Sequence, residues 1–168
     1  MEPIPLGHGG IWPNGERDMQ QHALSARTPA HLWIVGALSL LWNGFGAYDY
    51  LMTRLHNMDY LASMGGNPQQ MLDYVEGLPM YAQVGWGLGV WGSLLGSVLL
   101  LMRSRYSVLA FALSLIGAVM SYAAQKLGPP PPAEMTQGAM KYLPLIIILL
   151  VVAQLWYAWR QRGNGLLR

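Results

Sequence analysis

The residues best suited to bind a small molecule form one polar cluster near the end of the first long apolar segment. The cluster consists of Trp42, Asn43, Tyr48, Asp49 and Arg54. Aromatic rings stack on the faces of a sugar-like molecule, while amide and carboxylate groups bind its hydroxyl groups. The cluster therefore predicts a site for a small polar solute. In the alternative interpretation, Asn43 only bonds a neighbouring helix and Asp49 lies where the segment meets water.

Charge pairing inside this cluster is weak. Asp49 and Arg54 are five positions apart, whereas Asp49 and Thr53 have the four-residue spacing that makes neighbours on a helix. A proton relay through Asp49 would need a second carboxylate within another apolar segment, and the sequence has none there. Ion-coupled transport is therefore disfavoured.

The four histidines do not predict a haem held by two of them. His31 and His56 fall on the same helix, ~38 Å apart along its axis, while His8 and His22 lie in a polar arm. A pigment or haem bound through His31 or His56 alone stays open. Because the chain has no cysteine, disulfides and thiolate metal sites are excluded.

The remaining patterns do not indicate an enzyme. The sequence offers no serine nucleophile with a nearby base, no paired acids and no metal-ligand spacing. The glycines at 85, 87 and 89 lie within an apolar segment rather than between a strand and a helix, so they do not predict a phosphate-binding loop. We therefore expect a non-enzymatic protein without a cofactor.

Composition places these residues in a membrane protein. Of the 168 residues, 53% are hydrophobic and only 11% are charged, against about 25% charged in typical soluble domains. Four stretches have no charged residue: 28–48, 77–102, 106–125 and 142–159. A helix of about 20 apolar residues crosses a bilayer. The sequence thus predicts an all-α fold, a polytopic membrane four-helix bundle.

We expect transmembrane helices over approximately 30–55, 80–102, 106–126 and 141–160, within a domain covering 30–162. A flexible cytoplasmic arm is expected over 1–29 and a short cytoplasmic tail over 163–168. The loop after the first helix contains residues 67–77, with asparagine and proline at the start and glycine at the end. Its apolar residues Met71, Leu72 and Val75 predict a short helix lying on the membrane surface.

Small residues mark the second segment as the packed centre of the bundle. Gly85 and Gly89, like Gly92 and Gly96, are four positions apart. Such spacing lets two helix backbones approach closely in lipid. Because the third segment follows after a very short connection and has its own small-residue face, the two should form an antiparallel hairpin.

The basic residues predict the orientation. Cytoplasmic loops carry an excess of Lys and Arg, and with four spans both termini lie on one side. That side receives seven of the ten basic residues: Arg17, Arg27, Arg103, Arg105, Arg160, Arg162 and Arg168. Both termini are therefore expected in the cytoplasm, with the bilayer rather than nucleic acid as the partner of this mildly basic chain.

Three stretches, 42–54, 87–101 and 110–115, resemble a group of small proteobacterial four-helix inner-membrane proteins that are often labelled "sugar transporter". The resemblance covers most of 32–160 and implies the same fold and the bacterial inner membrane. It raises transport of a solute as a possibility but supplies no site residues.

Two functions remain open from the sequence. The first is an accessory or interaction subunit of a membrane assembly, which would bind other membrane-protein subunits or copies of itself. The alternative is a small oligomeric transporter of a sugar-like solute, although four spans hardly enclose such a path and no inverted repeat is visible.

Overall fold

A computed structural model describes residues 29–168 of the chain. The arm predicted over 1–29 therefore lies almost entirely outside the described residues. Residues His31–Arg168 form one compact unit.

Every regular element of residues 29–168 is helical, as the sequence predicts. In chain order the α-helices are α1 (Ala30–Arg54), α2 (Met58–Ser63), α3 (Pro68–Glu76), α4 (Met80–Leu101), α5 (Ser107–Leu127), α6 (Ala133–Thr136) and α7 (Leu143–Gly163), with a 3-10 turn over Gly138–Tyr142 before α7. Helices α1, α4, α5 and α7, the last extended by the 3-10 turn, are long and apolar enough to cross a membrane. Their bounds differ from the predicted ranges by only a few residues.

The loop between α1 and α4 holds two short helices where the sequence predicted one. Asn57 caps α2 by accepting a hydrogen bond from the Tyr60 amide. Asn67 caps α3 by accepting from the amides of Gln69 and Gln70, as its side chain can at a helix N-terminus. His56, between α1 and α2, adopts a left-handed backbone conformation with φ 54°, which ends α1 and redirects the chain.

The apolar face of α3 packs on the rest of the protein. Met71 and Leu72 are buried, at 4% and 5% exposure. The predicted helix over 67–77 is thus present, and its apolar residues contact protein. Whether the helix also lies at a membrane surface stays a prediction.

Helices α1 and α4 are antiparallel. Arg54 contacts Gln83 near the end of α1, whereas Asn43 in its middle contacts Ser93 and Ser97. The direction of the long helices defines two ends of the bundle. The terminus side holds Ala30, the turn between α4 and α5 and the C-terminal residues; the loop side holds α2, α3 and α6.

The terminus side is closed by packing. Leu32, Leu100, Phe111, Ala158 and Leu167 form the apolar core cluster there. The last residues are also tied to the turn between α4 and α5. The Arg168 amide donates to the Arg103 carbonyl at 2.8 Å, and the Arg105 amide donates to the Arg168 carbonyl at 2.9 Å.

The polarity of the bundle is inverted relative to a water-soluble protein. Large apolar side chains lie on the outside, including Leu38, Leu41 and Leu149 at 62%, 74% and 67% exposure. Polar side chains lie inside, including Asn43, Ser97 and Gln154 at 5%, 0% and 8%. In water, apolar burial is the dominant driving force for folding, so this arrangement suits an apolar solvent.

Candidate functional site: a cavity on the loop side

A cavity of about 360 Å³ lies between the long helices. Its walls come from 42–53 of α1, 86–93 of α4, 114–125 of α5 and 143–151 of α7. These ranges all belong to the loop-side part of their helices, down to the middle of the bundle. Residues of α2, α3 and α6 line its outer end. The cavity therefore ends at the bundle's middle, above the closed core of the terminus side.

Asn43 forms the floor of the cavity and joins three helices. Its Nδ2 lies 3.2 Å from the Ser93 carbonyl, 2.8 Å from Ser97 Oγ and 3.1 Å from Gln154 Oε1. The Ser93 carbonyl can only accept, and Ser97 has already donated its proton to that carbonyl at 2.9 Å. Both contacts require a donor, so Nδ2 must point at them and Oδ1 must point elsewhere.

The serine hydroxyls of the floor are turned toward backbone carbonyls. Ser93 Oγ donates to Val90 O at 2.9 Å, and Ser114 Oγ donates to Gly89 O at 2.6 Å. Serine hydroxyls commonly bond backbone of the preceding turn inside a helix. The Ser114 bond instead crosses from α5 to α4, so it also contributes to packing of the hairpin.

Asp49 lines the outer wall and is held by the loop. Its Oδ1 accepts a hydrogen bond from Tyr60 Oη at 2.9 Å. Burial, followed by the hydrogen bond and the negative charge of Asp49, raises the pKa of Tyr60 to about 12, because each of these disfavours the phenolate. Thr53, the predicted neighbour of Asp49, donates to its backbone carbonyl rather than to its carboxylate.

The predicted cluster divides into two groups. Trp42, Asn43 and Asp49 line the cavity. Tyr48 lies beside it and packs edge-on against Tyr60, with ring centroids 5.5 Å apart. Arg54 bonds Gln83 Oε1 at 3.2 Å on the protein surface and does not pair with Asp49.

The histidines of the described residues lie at opposite ends of α1. His31 Nδ1 is 2.6 Å from Tyr157 Oη on the terminus side. His56 Nε2 is 2.8 Å from Glu76 Oε1 on the exposed loop side. Each has a protein partner at one ring nitrogen, and neither lines the cavity.

Several lining residues were not identified from the sequence. Four methionines, Met64, Met71, Met135 and Met140, come from the loops before α4 and before α7 and line the outer end. No local spacing links them, so only the fold brings them together. Gln154, which accepts a hydrogen bond from Asn43 but does not line the cavity, was also missed. A lone amide in the middle of the last apolar segment was a visible signal.

The predicted glycine stripe of α4 lies against α5. A Cβ added at Gly85 would lie 2.9 Å from the Gly117 carbonyl, and one added at Gly92 would lie 3.0 Å from the Ser114 amide. At Gly89 the nearest atom is the Ala118 amide, whereas at Gly96 it belongs to the Phe111 ring. The tightest position of this hairpin is Gly117 of α5, where a Cβ would lie 2.5 Å from the Gly85 carbonyl.

Comparison with protein-family models, with curated proteins and with solved structures finds no match. The resemblance described from the sequence therefore stays a prediction.

Proposed function

We propose that the chain is an integral protein of the bacterial inner membrane that crosses the bilayer four times, with both termini in the cytoplasm. The inverted polarity of the bundle supports this placement, because a large exposed apolar surface is costly in water and favourable in lipid. The excess of basic residues on the terminus side supports the orientation. In this orientation the cavity faces the periplasm.

Single-cysteine variants test the orientation. The native chain has no cysteine and therefore gives no background labelling. Gln137 is exposed on the loop side and Asn164 on the terminus side. A membrane-impermeant maleimide should label Gln137→Cys in spheroplasts, and should label Asn164→Cys only after lysis. Labelling of Asn164→Cys in sealed spheroplasts would contradict the proposed topology.

Within that membrane the protein acts as a non-enzymatic accessory subunit that holds a small molecule in the cavity. The observation that carries this function is the one-sidedness of the cavity. It is lined by four long helices on the loop side, whereas Leu32, Leu100 and Phe111 close the terminus side. A binding subunit can work in this one conformation, whereas a carrier needs a second conformation that opens on the terminus side.

The subunit function predicts stable partners. Affinity purification in a mild detergent, from cells that express the protein at its native level, should recover other membrane subunits in fixed stoichiometry. The control is the same tag on an unrelated four-span protein of similar abundance. Recovery of this chain only as a monomer or self-oligomer would contradict the subunit function.

A small oligomeric carrier remains the second candidate, because the cavity reaches the middle of the bundle at Asn43, where a transported solute would bind. On this function the structure would be the outward-facing state, and the terminus-side core would have to open. Asn43→Ala and Asp49→Asn should then abolish uptake of a sugar-like solute into reconstituted vesicles while expression is retained. Normal uptake by both variants would reject this site for transport.

A further inference from the structure

The lining of the cavity limits the chemistry of its ligand, and this argument rests on the proposed binding function. Most of the lining is apolar: the rings of Trp42 and Trp86, three aliphatic side chains of α7, and the methionines around the outer end. The three aliphatic residues are Ile147, Ile148 and Val151. A sugar would bring many hydroxyl groups against these surfaces. Each buried hydroxyl without a partner is costly, so the wall selects a largely apolar molecule.

Three polar side chains of the floor, Asn43, Ser93 and Ser114, add a directional requirement, because their own donors are already used. The two N–H groups of Asn43 serve three acceptors. The hydroxyl protons of Ser93 and Ser114 go to the carbonyls of Val90 and Gly89. What these three side chains can still offer a ligand is acceptor capacity: Oδ1 of Asn43 and the remaining lone pairs of the two hydroxyl oxygens.

Asn43 Oδ1 is the principal acceptor. Asn43 is only 5% exposed and lines the cavity, and its three hydrogen bonds within residues 29–168 are all donated by Nδ2. Among the described residues, the polar atoms that are both fully enclosed and unpaired do not include Oδ1. Oδ1 is therefore unpaired but still accessible. An amide oxygen that is unpaired yet reachable, on a side chain that is otherwise buried, lies where a ligand in the cavity can meet it.

We infer that the cavity binds an apolar molecule whose buried end carries a hydrogen-bond donor, such as an alcohol or a phenol, and that this donor bonds Asn43 Oδ1. A ketone, ester or ether of the same shape would place its own acceptor oxygen against Asn43 Oδ1, so no hydrogen bond forms between them. This ligand class differs from the sugar-like solute predicted from the sequence, since only one end of the molecule is polar.

The test uses a matched pair of probes, an octylphenol and its O-methyl ether, which share the apolar body and differ in the donor. Saturable binding to the protein in lipid nanodiscs is followed by tryptophan fluorescence, because Trp42 and Trp86 line the cavity. The phenol should bind at least about tenfold more tightly than the ether, since the ether leaves the buried acceptor unpaired.

Two glycine variants of α1 distinguish binding of the probes in the cavity from their partitioning into the lipid. A Cβ at Gly46 or at Gly44 meets nothing within 4 Å, but only Gly46 lines the cavity. Gly46→Leu should therefore abolish saturable binding of both probes, whereas Gly44→Leu should keep it. If Gly46→Leu leaves binding unchanged, or if the native protein binds neither probe saturably, both the cavity site and the ligand class are rejected.

A third variant tests the acceptor. In Asn43→Ala the preference for the phenol should fall to about one, while retained affinity for the ether shows that the variant is folded. If Gly46→Leu abolishes binding but the native protein binds both probes equally, the donor requirement is wrong and the cavity remains a binding site. A tenfold preference that persists in Asn43→Ala would reject Asn43 as the acceptor.

Discussion

Glycines have opposite consequences in the hairpin of α4 and α5 and in the part of α1 beside the cavity. In the hairpin, a Cβ at Gly117 would lie 2.5 Å from the Gly85 carbonyl and 2.6 Å from the Gly89 amide. In α1, a Cβ at Gly44 or Gly46 would meet no atom within 4 Å. The same residue type thus allows backbone contact in one region and leaves space in the other.

The difference shows what the small residues of this bundle do. Close backbone approach gains dispersion contacts between helices, which drive association in lipid. A glycine that faces empty space gains none of these contacts and also lowers helix propensity relative to alanine. Gly46 therefore does not serve packing of the helices; it leaves space in the cavity that it lines.

The largest expected effect comes from adding one methyl group to the hairpin. In Gly117→Ala the new Cβ meets backbone atoms of α4, which cannot rotate away, so the helices must separate. We expect a loss of about 3 kcal/mol in the free energy of unfolding, the upper end of the usual cost of overpacking. Unfolding in mixed micelles, followed by tryptophan fluorescence, measures it.

The matched control is Gly44→Ala, where the methyl group has space. This variant should be unchanged or up to about 1 kcal/mol more stable, because alanine is the better helix former. Equal stability of the two variants would show that the hairpin contact and the open part of α1 do not differ as described.

A smaller effect is expected where the two regions meet, at the floor of the cavity. Asn43→Leu removes the donor that links α1 to α4 and α7, so we expect a loss of about 1–2 kcal/mol, the scale of interhelical hydrogen bonds in membrane proteins. Gln154→Leu should cost less, because the two N–H groups of Asn43 keep the Ser93 carbonyl and Ser97 Oγ as acceptors. The same unfolding assay ranks the two variants, and a larger loss in Gln154→Leu would contradict the hydrogen-bond assignment.

The smallest effect concerns the loop that covers the cavity. An unfolded tyrosine ionises near pH 10, whereas the pKa of Tyr60 in the folded protein is about 12. The stabilising contribution of Tyr60 is therefore complete below pH 10 and is lost as the pH rises from 10 to 12. Between pH 9 and pH 11, the native protein should lose slightly more stability than Tyr60→Phe, which has no proton to release.

This difference should vanish below pH 9. A Tyr60→Phe protein that loses as much stability at pH 11 as the native one would show that the loop does not hold Asp49 through this phenol.

Much of the fold could be predicted, because uncharged apolar segments of about 20 residues strongly favour long helices over other secondary structure. The uncharged stretches locate α1, α4, α5 and α7, and Asn67 and Gly77 locate α3. The other helix of this loop, α2, was not predicted, because its six residues carry little periodic signal. In the candidate site, Trp42, Asn43 and Asp49 could be identified as polar or aromatic residues within an apolar helix, whereas Tyr60 as the partner of Asp49 could not.

The sequence by itself determined that this chain forms four long apolar helices and that Asn43 must find partners inside them, because an unpaired amide in an apolar environment is too costly. Only the tertiary structure decided that α4 meets α5 at Gly117, and that a cavity with acceptors at its floor lies between the loop-side parts of α1, α4, α5 and α7. The physical reason is that helix formation depends on local spacing, whereas cavities and close contacts depend on how side chains from distant segments fill the space between helices.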